Sequence, residues 1–277
     1  AFWGLESDFG SFMGKKSSIR SLATLAYDCR RPELFRPQLK AAIRIVARGD
    51  LKPQNMIGSW AGELGQTQFL PSHYFTHAID YNGDGRRDLL RTVPDVIGST
   101  AKYLQHLGWK RGQPWIEEVK LTRTLDWKEA DLAIRHPRSQ WGQWGVVYPD
   151  GRKLKADGLR AALLLPMGRF GPAFLTYDNF DIYTQWNESL VYTLTAAYFA
   201  TRLDGAPRLS KPSSKLKTFD YDAIIGLQRR LVTRGHDVGG VDGKMGAKTR
   251  AAIKAEQLRL GLPADSYPSA RLIRALR

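Results

Sequence analysis

The chain has 277 residues, with 42 Lys and Arg against 27 Asp and Glu and a formal net charge of +15. Its length exceeds a usual single domain of roughly 100–150 residues, which predicts two folded units. No run of about 18 apolar residues exists, which excludes a membrane-embedded helical protein. The charge favours a polyanionic partner, for which nucleic acid, an anionic lipid surface and a cell-wall polymer all qualify.

From Lys215 to Arg277 there are 13 Lys and Arg against 6 Asp and Glu, leaving +7 there and +8 in the first 214 residues. A nucleic-acid module concentrates its charge in a patch or arm, so this even spread argues against one. Cys29 is the single cysteine, which rules out an intramolecular disulfide and a cysteine metal cluster. With no His nearby in sequence, it reads as a small buried hydrophobe within a helix.

The chain opens Ala1-Phe2-Trp3-Gly4, without Met or a basic-then-apolar leader, and so reads as an internal start with part of the N-terminal region missing. Residues 17–48 carry Ile19, Leu22, Leu25, Ala26, Leu39, Ile43 and Val46 at helical spacing, broken at Pro32 and Pro37, which predicts consecutive helices. A Gly-rich turn region, Ile57 to Gly85, separates them from a helical stretch over Val93 to Leu107. From Trp115 to Tyr183 short β-branched segments, including Glu117 to Leu121 and Trp144 to Tyr148, alternate with Gly, Pro and Asp-Gly turns; they predict a small β-rich insert. Ser189 to Leu203 reads as a largely buried helix. Gly205 to Thr218 has the composition of an exposed linker, and three helices are expected over Tyr221 to Arg234, Ala247 to Leu260 and Ala270 to Leu276. The domain reading is therefore 1–204, a linker 205–218, and 219–277.

Glu6, in Trp3-Gly4-Leu5-Glu6-Ser7-Asp8-Phe9-Gly10, is the first candidate for chemistry. On a helix Phe2, Leu5, Glu6 and Phe9 share one side, so Glu6 would point inward, where burial raises a carboxyl pKa and holds a proton for donation. A solvated glutamate at a helix end is the alternative. The stretch Gly58 to Ser72 combines short-spaced glycines with Ser59, Gln66 and Gln68, a pattern that fits a loop hydrogen-bonding a polar polymer, or else a plain turn. It also holds a rival acid, Glu63. Asp80 to Asp88 matches the first nine positions of a calcium loop, with Asp80, Asn82, Asp84 and Asp88 as oxygen ligands, Arg86 contributing its carbonyl, and Gly85 at the turn. Position twelve is Arg91 instead of Glu, so a closing ligand must come from elsewhere; an Asp/Gly turn held by its own side chains is the other reading. His73 and His77 have i, i+4 spacing without the Glu of a zinc helix and read, with His106, His136 and His236, as surface or cap residues. Trp141, Trp144 and Trp186 read first as core packing, with stacking on sugar rings as the alternative.

Taken in order, GLESDFG, GSWAGELGQTQFLPS, GSTAKYLQHLGW and WNESLVY resemble the B-type lytic murein transglycosylases of bacterial cell walls over most of residues 1–204. The resemblance implies a mainly helical α+β lysozyme-like catalytic domain with a β-rich insert. It maps the acid/base role to Glu6 and substrate contacts to Ser59, Gln68, Tyr103, Asn187 and Tyr192, with Trp186 in place of a tyrosine common in relatives. It implies cleavage of peptidoglycan without water, no cofactor for the chemistry, and a structural Ca2+ closed by Asp95. LQRRL, VDGKMGAKTRAAI and GLPAD resemble the three-helix peptidoglycan-binding domain family over nearly all of 221–277. Together these imply a periplasmic enzyme of a Gram-negative bacterium, acting on peptidoglycan glycan strands as a monomer, with membrane anchoring through the missing N-terminal region and no nucleic-acid partner. A hydrolytic muramidase, for which Asp8 and Glu63 are the nearest second acids, and a non-catalytic wall-binding scaffold stand as alternatives.

Overall fold

The computed structural model describes residues 1–211, 216 and 218–276. The chain divides into two compact units, Ala1–Trp109 and Lys110–Arg277.

The first unit is helical. A short helix α1 (Phe2–Ser7) leads to strand β1 (Lys16–Ser17), helix α2 (Ser18–Tyr27) and helix α3 (Pro32–Ala47). Ser17 caps α2 by accepting the Arg20 amide at 3.4 Å, and Pro32 opens α3, where its missing N–H costs nothing. Pro37 does not break the chain: α3 runs through it to Ala47. One forfeited intrahelical bond is offset by burial of Phe35, Ala41, Ala42 and Ile45 on the inner stripe. Cys29 is likewise not a helical core residue; it lies exposed in the turn between α2 and α3. Strand β2 (Ile57–Gly58) pairs antiparallel with β1, and helices α4 (Pro71–His77) and α5 (Val93–His106) complete the unit. Its centre is filled by Leu22, Ile45, Met56, Leu64, Tyr74, Leu89 and Val96, all fully buried.

The second unit holds the β-rich insert and the C-terminal helices. Strands β3 (Ile116–Leu121), β4 (His136–Pro137), β5 (Val146–Val147), β6 (Arg160–Leu164) and β7 (Ala173–Thr176) form an antiparallel sheet in the order β4-β6-β7-β3-β5, with helix α6 (Arg138–Gln143) between β4 and β5. Trp141 fills the core behind it, buried with Leu163, Leu165, Leu175 and Tyr177, and its indole donates to the Ala161 carbonyl at 2.8 Å. Packing is therefore the role of Trp141, and Trp144 lies against the same cluster. Helices α7 (Asp178–Trp186) and α8 (Leu190–Leu203) follow. The buried residues of α8 are Thr193, Ala196 and Ala197, while Val191 and Leu203 are exposed; its apolar composition overstated its burial.

Helices α9 (Tyr221–Thr233), α10 (Ala247–Arg259) and α11 (Ala270–Ala275) enclose a core of Leu227, Leu231, Ile253, Leu272 and Leu276. The buried Gln228 amide ties this bundle to its turn: Oε1 accepts the amides of Asp242 and Gly243, and Nε2 donates to Asp242 Oδ1, the Lys244 carbonyl and Thr249 Oγ1. The bundle also packs on the sheet region. Arg250, 8% exposed, donates to the carbonyls of Leu165 and Pro166 at 2.8 and 3.0 Å, Lys254 pairs with Asp131 at 2.7 Å, and Arg169 pairs with Asp265 at 2.8 Å. Within the stretch read as a linker, the Leu209 amide donates to Tyr198 Oη and the Ser210 amide to Glu118 Oε1. Residues 212–215 and 217 of that stretch, and residue 277 of the last domain, lie outside the described residues.

Candidate active site

Glu6 sits in helix α1, near its C-terminal end. The helix ends in two left-handed non-glycine residues, Asp8 (φ 49°) and Phe9 (φ 57°), with the Asp8 amide bonded to the Gly4 carbonyl and the Phe9 amide to the Trp3 carbonyl. This turn removes Phe9 from the helical face: its ring, half exposed, stands edge-on to Trp3 at 5.2 Å. Phe2 is buried, but Leu5 is exposed and Glu6 half-buried, so the inward apolar face expected of the segment covers one residue only.

The Gly-rich stretch folds back as a tight hairpin. Leu64 and Phe69 exchange both amide-to-carbonyl bonds at 2.8 Å, with Gly65 at φ 78° and Gln68, strained for a non-glycine, at φ 50° between them. Close approaches require the glycines. A Cβ on Gly58 would lie 1.9 Å from the Glu63 carbonyl oxygen, and one on Gly14 would lie 2.2 Å from that of Gly58.

Three predicted residues meet their neighbours as follows. Ser59, half-buried, donates its hydroxyl to Glu63 Oε2 at 2.5 Å. Gln68 donates to the Gly65 carbonyl at 2.8 Å and reaches the Met13 carbonyl, in the segment that follows the Glu6 helix, at 3.4 Å. Tyr103, 9% exposed, packs edge-on to Phe69 with ring centroids 5.4 Å apart, and burial raises its hydroxyl pKa. Glu6, Ser59, Gln68 and Tyr103 all lie in the first unit, where Gln68 reaches the segment after the Glu6 helix and Tyr103 packs on the next residue, Phe69.

Two features here escaped the sequence. Trp3 and Gln66 hydrogen-bond side chain to side chain at 2.6 Å, a contact between residues 63 apart in the chain. His106 is exposed in the last turn of α5, as a surface or cap residue would be, but His77 is buried and His73 half-buried, and the rings of both pack on Tyr103, with His106 against His77. The His77 ring lies 4.9 Å from Tyr103 and 4.5 Å from His106, and His73 Nε2 is 3.5 Å from the Tyr103 hydroxyl. Loss of water, with His106, His73 and Lys102 adding repulsion, pushes the His77 pKa down to about 4. The i, i+4 pair on α4 was legible; that α5 would pack against it was not.

The second unit places the other two. Asn187 follows α7 in extended conformation, its Oδ1 accepting the Ser189 amide at 2.9 Å and its carbonyl accepting Thr193 Oγ1 at 2.9 Å. Tyr192, half-buried, lies in the first turn of α8, where Ser189 Oγ accepts its amide.

In the Asp80–Asp95 loop the donors are hard oxygens of the kind calcium takes. Asp80 accepts the amides of Gly83, Asp84 and Gly85, Asp84 accepts that of Arg86, and the fully buried Asp95 accepts those of Tyr81 and Asp88. Asp88 caps Leu90 and Arg91, so the loop closes on its own backbone. Among the described residues no three His, Cys, Asp or Glu side chains converge as metal ligands. The oxygen chemistry fits a cation, and convergence of the carboxylates would need them to turn from their amides.

This fold and site define a transglycosylase SLT domain: residues 1–201 match that family, and the chain belongs to it. Residues 220–276 match the peptidoglycan binding domain family. Over 110 residues the chain is 39% identical to membrane-bound lytic murein transglycosylase B of Escherichia coli K12, a stretch covering 39% of this chain and 30% of that protein. Among solved structures, Pseudomonas aeruginosa SltB3 in complex with NAG-anhNAM-pentapeptide is 45% identical with a TM-score of 0.87, covering 100% of this chain and 74% of that one. Escherichia coli Slt35 in complex with calcium is 28% identical with a TM-score of 0.58, covering 73% of this chain and 65% of that one.

Proposed function

We propose that the chain cleaves the β-1,4 bond between N-acetylmuramic acid and N-acetylglucosamine in peptidoglycan without water, leaving 1,6-anhydromuramic acid ends. The likeness of the whole chain to SltB3, which was solved with an anhydro-muramoyl ligand, is the observation that carries this reading. Glu6 donates its proton to the glycosidic oxygen as the C1–O bond breaks. The resulting carboxylate takes the proton of the muramoyl 6-hydroxyl, whose oxygen bonds to C1 and closes the anhydro ring. One residue gives and takes the proton, and an internal nucleophile with help from the N-acetyl group removes the need for a second carboxylate. Ser59, Gln68, Tyr103, Asn187 and Tyr192 hold the sugars by hydroxyl and amide hydrogen bonds. No step passes through a metal.

The organisation that goes with this is a catalytic domain over 1–204, a connecting stretch 205–218 and a wall-binding domain over 219–277, acting as a monomer in the periplasm. Membrane association is part of the reading by analogy with the name of the Escherichia coli relative; among the described residues no helix is long and apolar enough to cross a membrane. Calcium, the ion seen with Slt35, would be held by Asp80, Asn82, Asp84, Arg86, Asp88 and Asp95 as a structural ion. Millimolar Ca2+ should then raise the melting temperature by a few °C over an EGTA-treated sample, since a ligand bound only to the native state stabilises it. An unchanged melting temperature removes calcium from the account.

The deciding experiment is mass analysis of products from purified sacculi. Anhydromuramic ends are expected; reducing ends identify a hydrolytic muramidase, and the absence of soluble muropeptides identifies a binding scaffold. Glu6→Gln should lower product release by about 10³-fold or more while the variant still sediments with sacculi, and full residual activity would sink the assignment.

A further inference from the structure

We infer that Gln66 is a positioning residue for Glu6: its buried amide fixes the short helix that carries the acid. The inference rests on the catalytic role proposed for Glu6.

Gln66 is 6% exposed and uses both ends of its side chain and both of its backbone groups. Side-chain Oε1 accepts the indole N–H of Trp3 at 2.6 Å, and Nε2 donates to the Leu90 carbonyl at 2.9 Å. The Gln66 carbonyl accepts the Ser7 hydroxyl at 2.6 Å, and the Gln66 amide donates to the Leu89 carbonyl at 2.8 Å. An indole N–H only donates and a carbonyl only accepts, so the two partners admit a single orientation of the amide. Trp3 and Ser7 are four apart, one turn along the same side of α1, and they bracket Glu6 in sequence. The two bonds grip α1 at its beginning and its end, and the Leu89–Leu90 backbone holds the other side of Gln66.

The turn after the helix closes on the same amide. The Gly10 amide donates to Ser7 Oγ at 2.9 Å, and a Cβ on Gly10 would stand 2.5 Å from Gln66 Oε1. Cutting this grip frees the turn that carries Glu6 to shift, and a misplacement of about 1 Å at an acid/base group costs up to about 100-fold in rate.

The test uses the full chain on solubilised glycan strands, scoring total muropeptide release whatever its end group, with Glu6→Gln as the reference. Gln66→Leu keeps the volume and removes both side-chain bonds; Trp3→Phe removes the indole N–H and keeps an aromatic ring, though a smaller one, against Phe9. Each should lower kcat by about 10- to 100-fold with apparent KM within about threefold, and the double variant should be no worse than the poorer single one, since both cut the same bond. Gln66→Glu supplies a signature that packing does not: a protonated carboxyl can accept from Trp3 and donate to Leu90, whereas a carboxylate faces the Leu90 carbonyl without a proton. Its activity relative to the parent should therefore recover as pH falls. If Gln66→Leu does not fold, Trp3→Phe and Gln66→Glu decide the matter. Unchanged kcat in Trp3→Phe, additive losses in the double variant, or a pH-independent ratio for Gln66→Glu overturns the inference. Should Glu6→Gln itself stay active, the catalytic reading fails and this one with it; should only Glu6→Gln be inactive, the positioning role alone is refuted.

Discussion

Glu63 is the residue on which the acid assignment turns locally. It accepts the Ser59 hydroxyl at 2.5 Å, so its carboxylate orients a residue proposed to touch the sugar. A glutamine there keeps a carbonyl oxygen to accept the same hydrogen, whereas a true general acid tolerates no such exchange. Glu63→Gln is thus expected to retain muropeptide release within about threefold, against the loss of about 10³-fold expected at Glu6. Product assays of the two variants side by side check this, and the reverse pattern would move the chemistry to Glu63. The candidate residues could be named from sequence because their motifs are short and contiguous. Which side chain each would grip could not, because the partners, Gln66 for Trp3 and His73 for Tyr103, are 63 and 30 residues away.

At the scale of elements, α4 and α5 bring His73, His77, Lys102, Tyr103 and His106 together. A histidine whose pKa is lowered by folding is held neutral in the native state and protonates more readily when unfolded. The unfolded chain then binds more protons between the ordinary value of 6.5 and about 4, so the stability His77 contributes is complete above that window and lost as pH falls through it. Burial and His106 act on His73 in the same direction. Thermal unfolding should show a melting temperature dropping by several °C from neutral pH to pH ~4, with His77→Gln flattening the drop. A parallel profile in that variant would exclude the cluster as its source. Of these two helices α5, at Val93–His106, was legible from its spacing, whereas α4, at Pro71–His77, lies within the stretch read as a Gly-rich turn region. Pro37 was misread because the inner stripe of α3 outweighs one missing hydrogen bond.

For the molecule as a whole, the second unit holds the sheet and the three C-terminal helices together. Arg250 is the key side chain of that packing, since its buried guanidinium satisfies the carbonyls of both Leu165 and Pro166. Arg250→Met would remove the donor to the Pro166 carbonyl and one of two donors to that of Leu165, which keeps the Gly168 amide, at a cost of about 1–3 kcal/mol, and should lower the melting temperature by a few °C. Calorimetry of the full chain checks this; an unchanged transition would mean that the bundle is held by its apolar contacts and the Lys254–Asp131 and Arg169–Asp265 pairs.

The sequence by itself determined the order and kind of the elements and the short motifs that mark the family, because helix periodicity, capping and turn chemistry act over a few residues. Tertiary structure alone decided that the Glu6 helix is clamped by Gln66, that His73 and His77 pack on Tyr103, and that Arg250 and Lys254 turn from surface charge into an internal seam. Each of these is a contact between segments distant in the chain, and local rules carry no information about which distant segments share the same space.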